Sequence, residues 1–185
     1  MISIRFTLVT TVLLGLIYPL AITGLAHMLF RNQADGQLIS RNGQIIGSRI
    51  IGQGFSSDKY FHSRPSAAGN GYDATSSGGS SLAPSSQKLI TRIQGDVAKY
   101  QQEANGQPIP IDLVTASGSG LDPDITPAAA LFQMHHVAQA RGLDETAVRH
   151  LVIAHIQQRQ FGVLGEPRVN VLELNLALDE LQQSR

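Results

Sequence analysis

The chain has 185 residues, no cysteine, and 14 basic residues against 14 acidic ones. That length allows one membrane span plus one unit able to bury a real core. The balanced charge, with no Lys/Arg run, excludes a nucleic-acid surface; the missing cysteine excludes disulfides, thiolate metal sites and a cysteine nucleophile.

Residues 6–30 contain no Asp, Glu, Lys or Arg, and Arg5 and Arg31 stand at the two ends. As a helix this run is roughly 37 Å long, enough to cross a hydrocarbon core of about 30 Å. Gly24-Leu25-Ala26 resembles a signal-peptide cleavage site, but Met28, Leu29 and Phe30 carry the apolar run past it. The expectation is a retained anchor in the bilayer: a tail over 1–5, a transmembrane helix over 6–30 and one soluble domain over 31–185. Pro19 removes the hydrogen bond to the carbonyl of Gly15, which predicts a kink. Gly15, Pro19 and Gly24 are the expected contact points for a partner helix in lipid. Arg31, Arg41 and Arg49 after the span outnumber Arg5 before it and point the domain inward. Long domains translocate largely regardless of such counts, so the side stays open.

Beyond the span, Asn42-Gly43 between Leu38-Ile39 and Ile45-Ile46 predicts a β-hairpin. Ser48 to Phe55, with Ile50-Ile51 and two glycines, reads as a strand that bends. From Tyr60 to Ser86 the chain turns Gly-, Ser- and Pro-rich, yet Tyr60, Phe61 and Tyr72 fall within it. Aromatics do not suit a tether, so an ordered functional loop is expected. Ser85 or Ser86 caps a helix on Leu89, Ile90, Ile93, Val97 and Tyr100, ended by Asn105-Gly106. Ile109 to Thr115 reads as a strand. Thr126 with Pro127 opens a helix that stops at Gly142. Asp144 caps another, with Val148, Leu151, Val152, His155 and Ile156 on one face. Asn170 and Glu173 form a capping-box pattern ahead of Val171, Leu174, Leu178 and Leu181. The fold class is α+β: one N-terminal transmembrane helix, then a soluble domain of short strands and about four helices.

No catalytic or metal set emerges. His150 and His155 do not share a helix face, and His135 and His136 are adjacent. Ser119 in Ala116-Ser117-Gly118-Ser119-Gly120 lacks the first glycine of a nucleophile elbow, leaving an anchored serine hydrolase a remote alternative. Asp112, Asp122 and Asp124 fit acid/base or cation chemistry but equally serve turns and a helix start. Ser77-Gly78-Gly79-Ser80 could offer successive backbone N–H groups to a nucleotide phosphate, an alternative reading as a nucleotide-contacting regulator.

Five segments resist explanation as core. They are Gly47 to Gln53, Tyr60 to Ala67, Tyr72 to Ser80, Asp112 to Pro123 and Gly165 to Asn175. With the single span, they resemble in content and order the C subunit of the Kdp potassium-transporting ATPase. The resemblance implies a non-catalytic accessory subunit in a bacterial inner membrane. Its implied partners are a channel-like potassium-translocating subunit, a P-type ATPase subunit and a small single-span peptide. It also implies a role in assembly and as a catalytic chaperone raising the ATPase subunit's affinity for ATP, with no tightly bound cofactor. It places the soluble domain outside the cell, against the arginine count. Tyr60, Phe61, Arg64 and Asp122, within the shared segments, are the expected interface residues.

Overall fold

The computed structural model describes residues 1–102, 104 and 106–183, so Asn105, the expected helix stop, lies outside the described residues. Internal contacts divide the chain into Met1–Ser48 and Arg49–Arg185.

The first unit begins with one continuous apolar helix, Ile2–Leu29, long and apolar enough to cross a membrane. It consists of α1 (Ile2–Val12), a π-helical turn Leu13–Ile17, and α2 (Tyr18–Leu29). The expected disturbance at Pro19 takes the form of that turn. The N–H of Tyr18 reaches back five residues to the Leu13 carbonyl, and the widened turn makes room for a proline ring that would press on the carbonyl of Gly15. Polar side chains inside the helix bond to its own backbone: the Thr10 hydroxyl donates to the Phe6 carbonyl at 2.8 Å. The helix breaks at Phe30 (φ −138°) and is followed by the single turn α3 (Arg31–Ala34).

The predicted hairpin forms between β1 (Leu38–Arg41) and β2 (Gln44–Ser48). Asn42 (φ 53°) and Gly43 (φ 78°) supply the two left-handed residues of its turn, which match the strand twist. The bending strand expected to Phe55 is not there; β2 ends at Ser48.

The second unit packs α4 (Gln87–Gln101), α5 (Pro127–Arg141), α6 (Glu145–Ala154) and α7 (Val171–Gln183) around a small antiparallel sheet. The strands are β3 (Asp124–Ile125), β4 (Ile156–Gln157) and β5 (Arg168–Asn170), in the order β3-β5-β4. The core joins Leu113, Ile125, Met134, Val137, Val148, Val152, Val169, Leu174 and Leu178 with Phe61 from the long loop.

Local capping works as the sequence predicts at α5 and α6. The Thr126 hydroxyl accepts from Ala129 N–H at 3.1 Å, and Gly142 (φ 63°) closes the helix. Asp144 accepts from Ala147 N–H at 3.0 Å. The helix α6 nevertheless stops at Ala154; Ile156, placed on its apolar face by periodicity, instead pairs with Val169 in the sheet. At α7 half of the capping box forms. Asn170 accepts from Glu173 N–H at 3.1 Å, while the Glu173 carboxylate turns to Arg49 at 2.9 Å.

The strand expected over 109–115 is a 3₁₀ turn, Ile111–Leu113. Pro108 and Pro110 bring no N–H to a ladder. The turn swings Asp112 inward, where its carboxylate accepts from Thr126 N–H at 2.7 Å and from the Thr126 hydroxyl at 3.1 Å. Thr126 is thus both a cap and the landing point of Asp112. Thr126→Ala is expected to lower stability by about 1 kcal/mol from the lost cap, read as a lower urea midpoint at unchanged slope.

Candidate functional site

The loop from Gly52 to Ser86 holds only one short 3₁₀ turn, Ala74–Ser76, so its order comes from tertiary bonds. Its first part is held by two side-chain amides. Asn175 of α7 accepts from Phe61 N–H at 2.9 Å and donates to the Phe61 carbonyl at 3.0 Å. Gln133 of α5 does the same for the next residue: it accepts from His62 N–H at 2.8 Å and donates to the His62 carbonyl at 3.1 Å. Each amide takes the place of a neighbouring strand. Both are nearly buried, Asn175 1% exposed and Gln133 4%, so the backbone they satisfy has no water to turn to. Sequence reasoning singles out neither residue. The available signal is a carboxamide standing inside an otherwise apolar helix face.

Phe61, expected at a partner interface, is 0% exposed and belongs to the core, because the two amides draw its backbone down against α5 and α7. Tyr60 beside it stays partly exposed. Arg141 stacks on its ring at 4.6 Å and pairs with Asp179 at 2.8 Å.

Arg64 and Asp122, also expected at an interface, meet each other. The guanidinium contacts the Asp122 carboxylate at 3.1 Å and donates through Nε to the Thr115 carbonyl at 3.3 Å. The Tyr72 hydroxyl donates to the Arg64 carbonyl. Burial, more than any neighbouring charge, pushes the Tyr72 phenol above its ordinary range. Ser66 ties the next turn, donating to the Gly120 carbonyl at 2.6 Å and accepting from Tyr72 N–H at 2.8 Å. Arg64 is therefore a strut between the loop and the segment 115–122.

Ser77, Gly78, Gly79 and Ser80 lie along the same segment. Gly78 N–H donates to the Ser119 carbonyl at 2.8 Å, and the Ser77 hydroxyl donates to that oxygen at 3.0 Å. A Cβ on Gly79 would stand 3.1 Å from the Gly118 carbonyl oxygen. One of the N–H groups that a phosphate would need is thus engaged. The Ser119 hydroxyl accepts from Leu121 N–H at 3.1 Å and sits 3.5 Å from Ser117 Oγ; no histidine is among these partners.

The three aspartates each hold structure. Asp112 serves Thr126, Asp122 serves Arg64, and Asp124 pairs with Arg168 at 2.9 Å while accepting from Asn170 at 3.2 Å. No group of three or more potential metal ligands occurs among the described residues. Burial raises the Asp124 carboxyl above its ordinary value, outweighing the nearby Arg168 charge. The folded state then holds this proton more tightly than the unfolded chain does. The Asp124 contribution therefore favours folding below the ordinary carboxylate range and is lost as pH rises through to the raised value. Asp124→Asn is expected to flatten that part of the stability–pH curve, measured by urea unfolding across the acidic range.

In the first unit, Gly15 lies in the π-turn and Pro19 in the first turn of α2, and a Cβ on Gly24 would have nothing within 4 Å. Nine residues separate the two glycines, close to half a turn around a helix, so they do not form one small-residue stripe.

Fold and site together define a chain with one membrane-length apolar helix and an α+β unit built around a pinned loop. The chain belongs to the KdpC family, described as the K+-transporting ATPase c chain, whose model matches residues 1–180. A potassium-transporting ATPase KdpC subunit from Koribacter versatilis is 62% identical over 180 residues, 97% of this chain and 93% of that protein. The protein of the same name from Acidobacterium capsulatum is 58% identical over 179 residues, covering 97% and 96%. That from Methylobacterium nodulans is 53% identical over 183 residues, covering 92% and 91%.

Proposed function

We propose that this chain is a non-catalytic accessory subunit of an ATP-driven potassium-uptake complex in a bacterial inner membrane, required for its assembly and stability. The observation that carries the reading is the family match over residues 1–180. It is supported by the apolar helix Ile2–Leu29, which suits a single-span anchor. It is also supported by the way the aspartates, Arg64 and the loop serines bond within the fold, leaving no reacting constellation of nucleophile, base and orienting group among them. The partners are a channel-like potassium-translocating subunit, a P-type ATPase subunit and a small single-span peptide. The α+β unit lies on the extracytoplasmic side, where biotin should label Lys59 or Lys88 in intact spheroplasts.

The chain raises the ATPase subunit's affinity for ATP through subunit contacts rather than by holding the nucleotide. Engagement of Gly78 N–H by Ser119 at 2.8 Å supports that choice over direct contact at Ser77–Ser80. Deleting the chain abolishes high-affinity potassium uptake, and a plasmid copy restores it. Normal assembly and uptake in its absence would contradict the proposal.

A further inference from the structure

We propose that the turn 160–164 is a preformed docking tip that inserts into an apolar pocket on another protein subunit of the complex. It lies in the connection between β4 and β5, on the outer edge of the sheet. Phe161 is 93% exposed, Val163 74% and Leu164 56%. Isolated exposed apolar residues need no explanation, but three in four consecutive positions on one turn mark a contact surface.

The turn is built rather than loose. Gln160 N–H donates to the Leu164 carbonyl at 2.9 Å, and Leu164 N–H returns a bond of 2.9 Å to Gln160. Gly162 N–H reaches the Arg159 carbonyl at 3.1 Å. Phe161 itself takes a left-handed conformation (φ 52°), followed by Gly162 at 77°. Asn or Gly turns the chain there with less strain. A large aromatic ring at that point does nothing for the fold that the structure shows, and it presents a rigid anchor with few rotatable bonds.

The rim settles the kind of occupant. Arg159 pairs with Glu166 at 2.5 Å, and Arg168 pairs with Asp124 at 2.9 Å. The flanking charges thus cancel. A segment held on an anionic membrane surface carries surplus Lys/Arg; here the flanking arginines are already paired with carboxylates. A second copy of the chain meeting tip to tip would bury a few hundred Å² at most, well under the ~1,200 Å² of a stable specific interface. An aromatic anchor ringed by neutralised polar groups is the form of a protein hot spot. Within a complex whose other contacts are made elsewhere, so small a tip adds its affinity to theirs. This inference rests on the proposed role as a subunit.

The test places the photo-crosslinker p-benzoylphenylalanine at position 161 of the full chain in the assembled, membrane-embedded complex. The expected product is a covalent adduct to one of the complex's own protein subunits, identified by mass spectrometry. In parallel, Phe161→Ser lowers retention of the chain on the complex by about tenfold, with its thermal unfolding unchanged. An adduct to lipid alone, to a second copy alone or to nothing overturns the proposal, as does full retention of Phe161→Ser. If the unmodified chain co-purifies with the complex in those cases, the subunit role stands and only the tip fails. If it does not co-purify, both fall.

Discussion

Asn175→Ala is expected to destabilise the second unit by about 2–6 kcal/mol, because two buried backbone groups of Phe61 lose their partner at once and each costs about 1–3 kcal/mol. The present bonds are 2.9 Å and 3.0 Å, in a site where Asn175 is 1% exposed. The loss does not stop at the helix. Phe61 is the loop's deposit in the core, so releasing its backbone also loosens the packing of a wholly buried ring. Urea unfolding of the full chain measures the effect as a lower midpoint, and partial proteolysis should shift to the segment around Phe61. Asn175→Asp keeps an acceptor for the N–H but loses the donor and adds a buried charge, so it should not rescue stability. A midpoint unchanged by Asn175→Ala would mean the loop is held in some other way.

Gly120→Ala is expected to cost about 2–5 kcal/mol, from a left-handed conformation worth about 1–2 kcal/mol and overpacking worth about 1–3 kcal/mol. Gly120 has φ 68°, and a Cβ there would stand 2.6 Å from the Ala68 nitrogen and 2.7 Å from the Gly78 carbonyl oxygen. Those two neighbours are backbone on either side of the loop. The substitution therefore wedges apart the stretches of chain that Ser66, Ser77 and Gly78 lace together. Gly142→Ala provides the comparison. Its φ is 63°, but nothing lies within 4 Å, so only the conformational strain of about 1–2 kcal/mol applies. Amide exchange should rise over residues 66–80 in Gly120→Ala and not in Gly142→Ala.

The parts of the fold that are legible in the sequence are those decided within a few residues. Asn42-Gly43 carries its own turn, and Thr126-Pro127 with Gly142 carries both ends of α5. Where sequence and structure part, the causes are tertiary. Ile109 to Thr115 has a strand's composition, yet its prolines and the pull of Thr126 on Asp112 make it turn. Ile156 continues the period of α6, but pairing with Val169 takes it into the sheet. The order of the loop is foreshadowed by Tyr60, Phe61 and Tyr72. Its means is not, since Gln133 and Asn175 lie 71 and 114 residues from their targets. Arg64 and Asp122 stand out in the sequence only as members of the shared segments; their pairing across 58 residues is a tertiary contact that no local pattern reveals.

In the proposed role, the chain serves the activity of a potassium-transporting complex without chemistry of its own. Potassium-stimulated ATP hydrolysis, compared for the complex purified with and without this chain and for the chain alone, tests it most directly. The expected result is no hydrolysis by the chain alone and loss of potassium-stimulated activity when it is missing. ATP hydrolysis by the isolated chain, or full activity of a complex that lacks it, would contradict that role.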